Sequence, residues 1–230
     1  MRNMPEYRVV RNARVRSLRL KLFPNGALQV VAPRGVGPRA IERFVAQNLD
    51  WVARKRGELR ERPATALPDS VSLAAIDERW RLAWDAGTFS ADAAERLLRI
   101  PHARATPAAQ ECLRQWLLER GRAVLIPWLQ RVSGETGLRF ARTRIATQKT
   151  RWGSCSSRGT ISLNARMLLL PAHLVDYLLI HELSHTRHMH HGASFWALVE
   201  AHCPAYRAAE RELDTIGRQL PAWSYFYPLV

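Results

Sequence analysis

Residues 181 to 185 read His-Glu-Leu-Ser-His, and six of the chain's eight histidines fall between residues 181 and 202. No other feature restricts the fold so strongly. Two imidazoles at i and i+4 project from one face of an α-helix, roughly 6 Å apart, where one metal ion can bridge them. Glu182 projects beside that face, within reach of a metal-bound water without being a ligand itself. A helix must therefore carry the pair, and the surrounding residues supply one. Pro171 suits a helical first turn, and Leu174, Val175, Leu178 and Leu179 follow the 3,4 spacing of an apolar face. The pattern predicts a helix over about 172–188 with the motif in its last turns.

A catalytic zinc takes three protein ligands and leaves a fourth position open. His188 lies seven residues beyond His181 and would sit about 10.5 Å further along an unbroken helix, too far to share an ion. The third ligand must come from chain that has left the helix and turned back. His191, followed by Gly192, fits that turn best. His190 is the next choice, and Glu200 on a following helix a more distant one. His188 and His190 are expected to face solvent, and His202 to be structural. Glu182 is the expected general base of a metal-assisted hydrolysis.

His181-Glu182-Leu183-Ser184-His185 followed by His191-Gly192-Ala193-Ser194-Phe195-Trp196 resembles the zinc site of the YgjP-type metallopeptidase-like family. Arg151-Trp152-Gly153-Ser154-Cys155-Ser156 with Ile161-Ser162-Leu163-Asn164, and the stretches Ser17–Leu20 and Val30–Arg34, are similar to further segments of that family. The resemblance implies a zincin, related to SprT-like proteases that digest proteins crosslinked to DNA. It implies a zinc metallopeptidase cleaving peptide or protein substrates. A metal-dependent nucleoside triphosphate pyrophosphatase and a DNA-associated protease are the alternatives. In zincins an extended substrate pairs with an edge strand beside the metal, and Thr160–Asn164 is the candidate strand. Arg151 and Asn164 are the candidate substrate-binding residues: Arg151 to fix a carboxylate or phosphate or a developing oxyanion, Asn164 to hold the substrate backbone or cap the next segment.

The remaining chain reads as α+β. Strands are expected at 7–10, 16–23 and 27–32, the last two joined through Pro24-Asn25-Gly26, then a helix from Pro38 to about Arg60. Residues 63–70 read as a linker, and short strands at 71–75, 79–84 and 97–100 precede a long helix from Thr106 to about Thr136, bent by Pro127. Strands at 143–149 and 160–164 flank the Arg151 loop, and a final helix covers 207–219. The expected organisation is a basic β-hairpin/helix module over 1–104 and a zincin-like metallohydrolase domain over 105–230. Phe195 and Trp196 are expected to pack a second helix on the zinc helix and hold His191 in place.

Composition narrows the partners. Three widely spaced cysteines, with no C-x-x-C, argue against a disulfide framework and for a reducing cytoplasm. No apolar run approaches the 18 residues of a membrane span. Net charge is +15, and residues 1 to 62 hold 15 Lys and Arg against 5 Asp and Glu. That excess would attract nucleic acid, although Arg14, Arg16, Arg19 and Lys21 also fit the solvated face of a sheet.

Overall fold

The computed structural model describes residues 4–13, 15–22, 28–60, 67–85, 87–104, 106–148 and 151–224. Arg14, the Pro24-Asn25-Gly26 segment expected to turn, and residues 63–66 of the expected linker lie outside them. The chain forms two compact units, Met1–Thr65 with Tyr227–Val230, and Ala66–Phe226.

In the first unit β3 (Leu28–Ala32) lies between β1 (Tyr7–Arg11), to which it is parallel, and β2 (Arg19–Leu22), to which it is antiparallel. The expected pairing of the second and third strands is present. Alternation along β3 turns Leu28, Val30 and Ala32 inward, where they meet Ile41, Val45 and Val52. The helix expected from Pro38 to Arg60 is two: α1 (Pro38–Gln47) and α2 (Leu49–Arg60). Asn48 breaks it at φ −113°, ψ 16°, and its Nδ2 donates to the Phe44 carbonyl at 2.7 Å. A short amide side chain that satisfies a carbonyl of the preceding turn offers the backbone an exit from the helix. Arg11 Nη1 donates to the carbonyls of Pro33, Arg34 and Val36 at 2.7–3.2 Å, fastening β1 to the turn after β3. On the other sheet face the register sets Lys21 opposite Gln29 and Gln29 opposite Arg8, with Arg19 one row along. All three cations are exposed.

The second unit begins earlier than the 104/105 division expected from sequence. Strands β4 (Ser70–Leu73), β5 (Glu78–Trp84), β6 (Ser90–Asp92) and β7 (Leu97–Ile100) form one sheet in the order β4-β5-β7-β6. Their inward residues Val71, Leu73, Trp80, Leu98 and Ile100 share one core with Leu113, Trp116 and Leu117 of α3 (Pro107–Thr136). Trp80 and Trp116 meet edge to face at 5.2 Å. The sheet thus buries its apolar face against the long helix, and the division between units falls at 65/66. The Thr106 hydroxyl caps α3 by accepting from the Ala109 N–H at 3.2 Å, and Gly137 ends it at φ 69°. The helix continues through Pro127.

A half-buried ion pair joins this sheet to α3. Glu78 accepts from Trp80 Nε1 at 2.8 Å and from both Nε and Nη2 of Arg120, with Arg96 Nη1 at 3.5 Å. Burial pushes its carboxyl up, but the Trp80 bond and the Arg120 and Arg96 contacts outweigh burial and hold it below its usual 4.5. A depressed folded-state value adds stability above the unfolded pKa and loses it as pH falls through the folded one. Glu78→Gln should lower the melting temperature by about 3 °C at pH 7. The gap from wild type should narrow as pH drops below 4.5. Melting curves at pH 7, 5, 4 and 3 check this, and a gap independent of pH would deny the pair its role.

The third sheet positions the motif. Its order is β8-β10-β9, from β8 (Arg142–Ala146), β10 (Thr160–Asn164) and β9 (Gly153–Cys155). β10 is parallel to β8 and antiparallel to β9, so both its edges are occupied. The expectation that Thr160–Asn164 is an edge strand is therefore wrong; among the described residues β9 is at the edge instead. Three helices complete the unit: α4 (Ala172–Ser184), α5 (Ala193–His202) and α6 (Tyr206–Gln219). Among the described residues no helix is long and apolar enough to cross a membrane.

Candidate metal centre

α4 ends within the motif. Leu174, Val175, Leu178, Leu179 and Leu183 anchor one side of the helix in the core, which fixes the direction in which His181 and His185 project. His185 is the C-cap residue, and the chain then turns through 186–192 until Gly192 caps α5. The turn brings His191 back over the helix end. One nitrogen from each of His181, His185 and His191 lies within 4.8 Å of the others. His191 Nε2 and His181 Nε2 are 3.1 Å apart. The edge of a tetrahedron with bonds of about 2 Å is roughly 3.3 Å, so this spacing suits one small ion.

The electrostatics fit a cation as well. Burial, with His185 and His191 close by, lowers the His181 pKa to about 4. Burial also lowers that of His185, against the raising effect of its bond to the His188 carbonyl. Both imidazoles are therefore neutral, the form that offers a lone pair. His185 Nδ1 donates to the His188 carbonyl at 3.0 Å, which fixes the tautomer and leaves Nε2 as the donor toward the cluster. No carboxylate lies within the group of three. His188 contributes its backbone carbonyl alone, His190 is exposed, and neither these two nor Glu200 joins the cluster.

Phe195 is fully buried beneath the cluster, stacked on His185 at 4.5 Å and edge-on to His181 and His191. Trp196 stacks on His191 at 5.7 Å, and Tyr206 stacks on the other side of Trp196 at 5.2 Å. The expected bracing of His191 by Phe195 and Trp196 thus extends one ring further. Tyr206 escaped sequence reading because nothing local links it to residue 191.

Glu182 is 5% exposed, and its Oε2 is buried with no hydrogen-bond partner among the described residues. Burial pushes its carboxyl up to about 7, with Arg151 pulling the other way. Arg151 is exposed at the rim of a cleft of about 510 Å³ whose walls include Trp152, Tyr177, Leu178, His181, Glu182 and Leu213. Cys155 borders Glu182 and is half-buried; burial and that carboxylate raise its thiol to about 11, so it is an inert packed residue.

Of the two roles expected of Asn164, capping the next segment or holding a substrate backbone, the structure shows the cap. Asn164 is fully buried. Its Nδ2 donates to the carbonyls of Gln148 (2.7 Å) and Arg151 (2.8 Å), and its Oδ1 accepts from the Arg166 N–H at 3.1 Å. With both amide hydrogens engaged and no surface exposed, it clamps the loop that carries Arg151.

A family model described as the YgjP-like metallopeptidase domain matches residues 16–216. No curated protein matches the chain. Among solved structures, the metallopeptidase zymogen abylysin of Pyrococcus abyssi is 31% identical over 42% of this chain and 95% of its own, with a TM-score of 0.37. The metallopeptidase zymogen jannalysin of Methanocaldococcus jannaschii is 20% identical over 42% of this chain and 97% of its own, at 0.36. The match over residues 16–216 spans most of the sequence, and the chain belongs to the YgjP-like metallopeptidase family, hydrolases that work with a divalent metal ion.

Proposed function

We propose that the chain is a zinc-dependent peptidase in which His181, His185 and His191 hold the ion and Glu182 is the general base. One observation carries this reading: three imidazole nitrogens converge beside a buried carboxylate whose Oε2 has no partner among the described residues. Three imidazole nitrogens suit zinc, and a carboxylate outside that set is free for proton transfer. Zinc held there would polarise a scissile carbonyl and acidify water. Glu182 accepts a proton from the attacking water at Oε2 and returns it to the leaving amine nitrogen. Arg151, whose loop is clamped by Asn164, steadies a substrate carboxylate or the developing oxyanion from the rim.

β9 would align the peptide. Trp152 and Ser156 exchange backbone bonds with Asn164 and Thr160, so Gly153 and Cys155 turn their N–H and C=O groups away from β10. An extended peptide can pair with those groups beside Glu182. The test is hydrolysis by zinc-loaded protein of a quenched peptide library, nucleoside triphosphates and a protein–DNA crosslink. Peptide cleavage is expected. Release of pyrophosphate from nucleotides without peptide cleavage would assign the site to phosphoanhydrides.

A subsidiary reading concerns the amino-terminal unit. Arg8, Arg19 and Lys21 share one exposed sheet face, which supports attraction of a nucleic-acid backbone. Replacing the three by alanine should flatten the plot of log affinity for duplex DNA against log salt by about 3. Hydrolysis of a small uncharged peptide should not change. Salt-independent binding, or none, would leave these cations as a solvated surface.

A further inference from the structure

We infer that Gly153 is a positioning residue for Glu182: its missing side chain is the seat in which the carboxylate rests. The inference rests on Glu182 being the base, and it adds what holds that base in place. A β-carbon built at Gly153 would lie 2.5 Å from Glu182 Oε1, 2.6 Å from Cδ and 2.7 Å from Cγ. Ordinary contacts begin near 3.4 Å, so any side chain at 153 must push the carboxylate back by about 1 Å. Gly153 is extended strand, with no positive φ to explain the glycine. Close approach explains it.

The strand cannot yield in Glu182's place. β9 is held by β10 through the Ser156–Thr160 and Asn164–Trp152 bonds, and Asn164 also grips the Arg151 carbonyl just before it. β10 is in turn bound to β8 along its whole length. Glu182 cannot yield by rotating its backbone either, because Leu179 and Leu183 on the same turns of α4 are fully buried. The carboxylate therefore lies between a buried helix face and a paired strand, and a β-carbon at 153 is accommodated by moving the carboxylate itself. A base displaced by about 1 Å costs on the order of 100-fold in rate.

Two measurements on Gly153→Ala test this. In zinc-loaded protein, kcat for cleavage of a quenched peptide should fall about 100-fold. KM should stay within about twofold, because an interaction used only in the transition state is lost. Bound zinc, measured by elemental analysis, should be unchanged. The second measurement needs no activity. Gly153→Ala should lower the melting temperature by about 5 °C in the wild-type background and by about 0 °C in a Glu182→Ala background, where the crowded atoms are gone. Equal penalties in both backgrounds would overturn the seat, whatever the kinetics show. Coupled melting together with full activity of Glu182→Gln would instead overturn the base assignment and reduce Gly153 to a packing contact.

Discussion

Glu182→Gln should abolish measurable peptide cleavage, a loss of about 1,000-fold or more, while bound metal and fold are retained. The substitution keeps shape and removes the proton acceptor. It leaves no hydrogen-bond partner stranded, since Oε2 has none among the described residues. Burial already disfavours the charged form of this side chain, so a neutral amide should melt at the same temperature as wild type or slightly above it. Kinetics, elemental analysis and melting on one preparation separate the outcomes. Loss of metal in this variant would make Glu182 a ligand. Unchanged turnover would remove it from proton transfer.

His191→Ala should lower metal affinity by more than the roughly 10–100-fold typical of outer-shell changes, because a donor nitrogen itself disappears. His188→Ala and His190→Ala are the matched controls. His188 offers the cluster its main-chain carbonyl, which alanine keeps, and His190 is exposed and outside the cluster. Both should bind metal as wild type does. Competition titration with a coloured chelator measures all three. Wild-type affinity in His191→Ala would exclude it from the donor set.

Features determined by nearby residues were the ones a linear reading could reach. The approach of His181 to His185 follows from helical spacing. The return of His191 follows from its distance beyond the helix, but the turn is made before Gly192, which at φ −82° and ψ −179° is extended and caps α5 without using glycine's freedom. The pairing of β2 with β3 follows from alternation on either side of a turn. What escaped depends on partners distant in sequence. β9 is Gly-Ser-Cys, three residues without strand propensity, and it is extended because β10 binds it. That β10 is central depends on which strands flank it, which its own residues do not encode. Asn164 reads equally well as a cap or a ligand holder until Gln148 and Arg151 are found against it. The unit boundary falls before β4 because Val71, Trp80 and Leu98 share a core with α3, a helix that follows them.

The short length of β9 has a further consequence for solubility. An unpaired strand edge is a template for any extended chain, including another copy of the same protein, and long flat edges promote aggregation. This edge is three residues long, starts at a glycine and ends in the 156–159 turn closed by the Gly159 N–H to Ser156 carbonyl bond. Two residues with outward backbone groups would suffice for the proposed pairing with a short peptide, and they offer little template for a shared sheet between molecules. The same brevity that hid β9 from sequence reading limits how far another chain can extend the sheet along this edge.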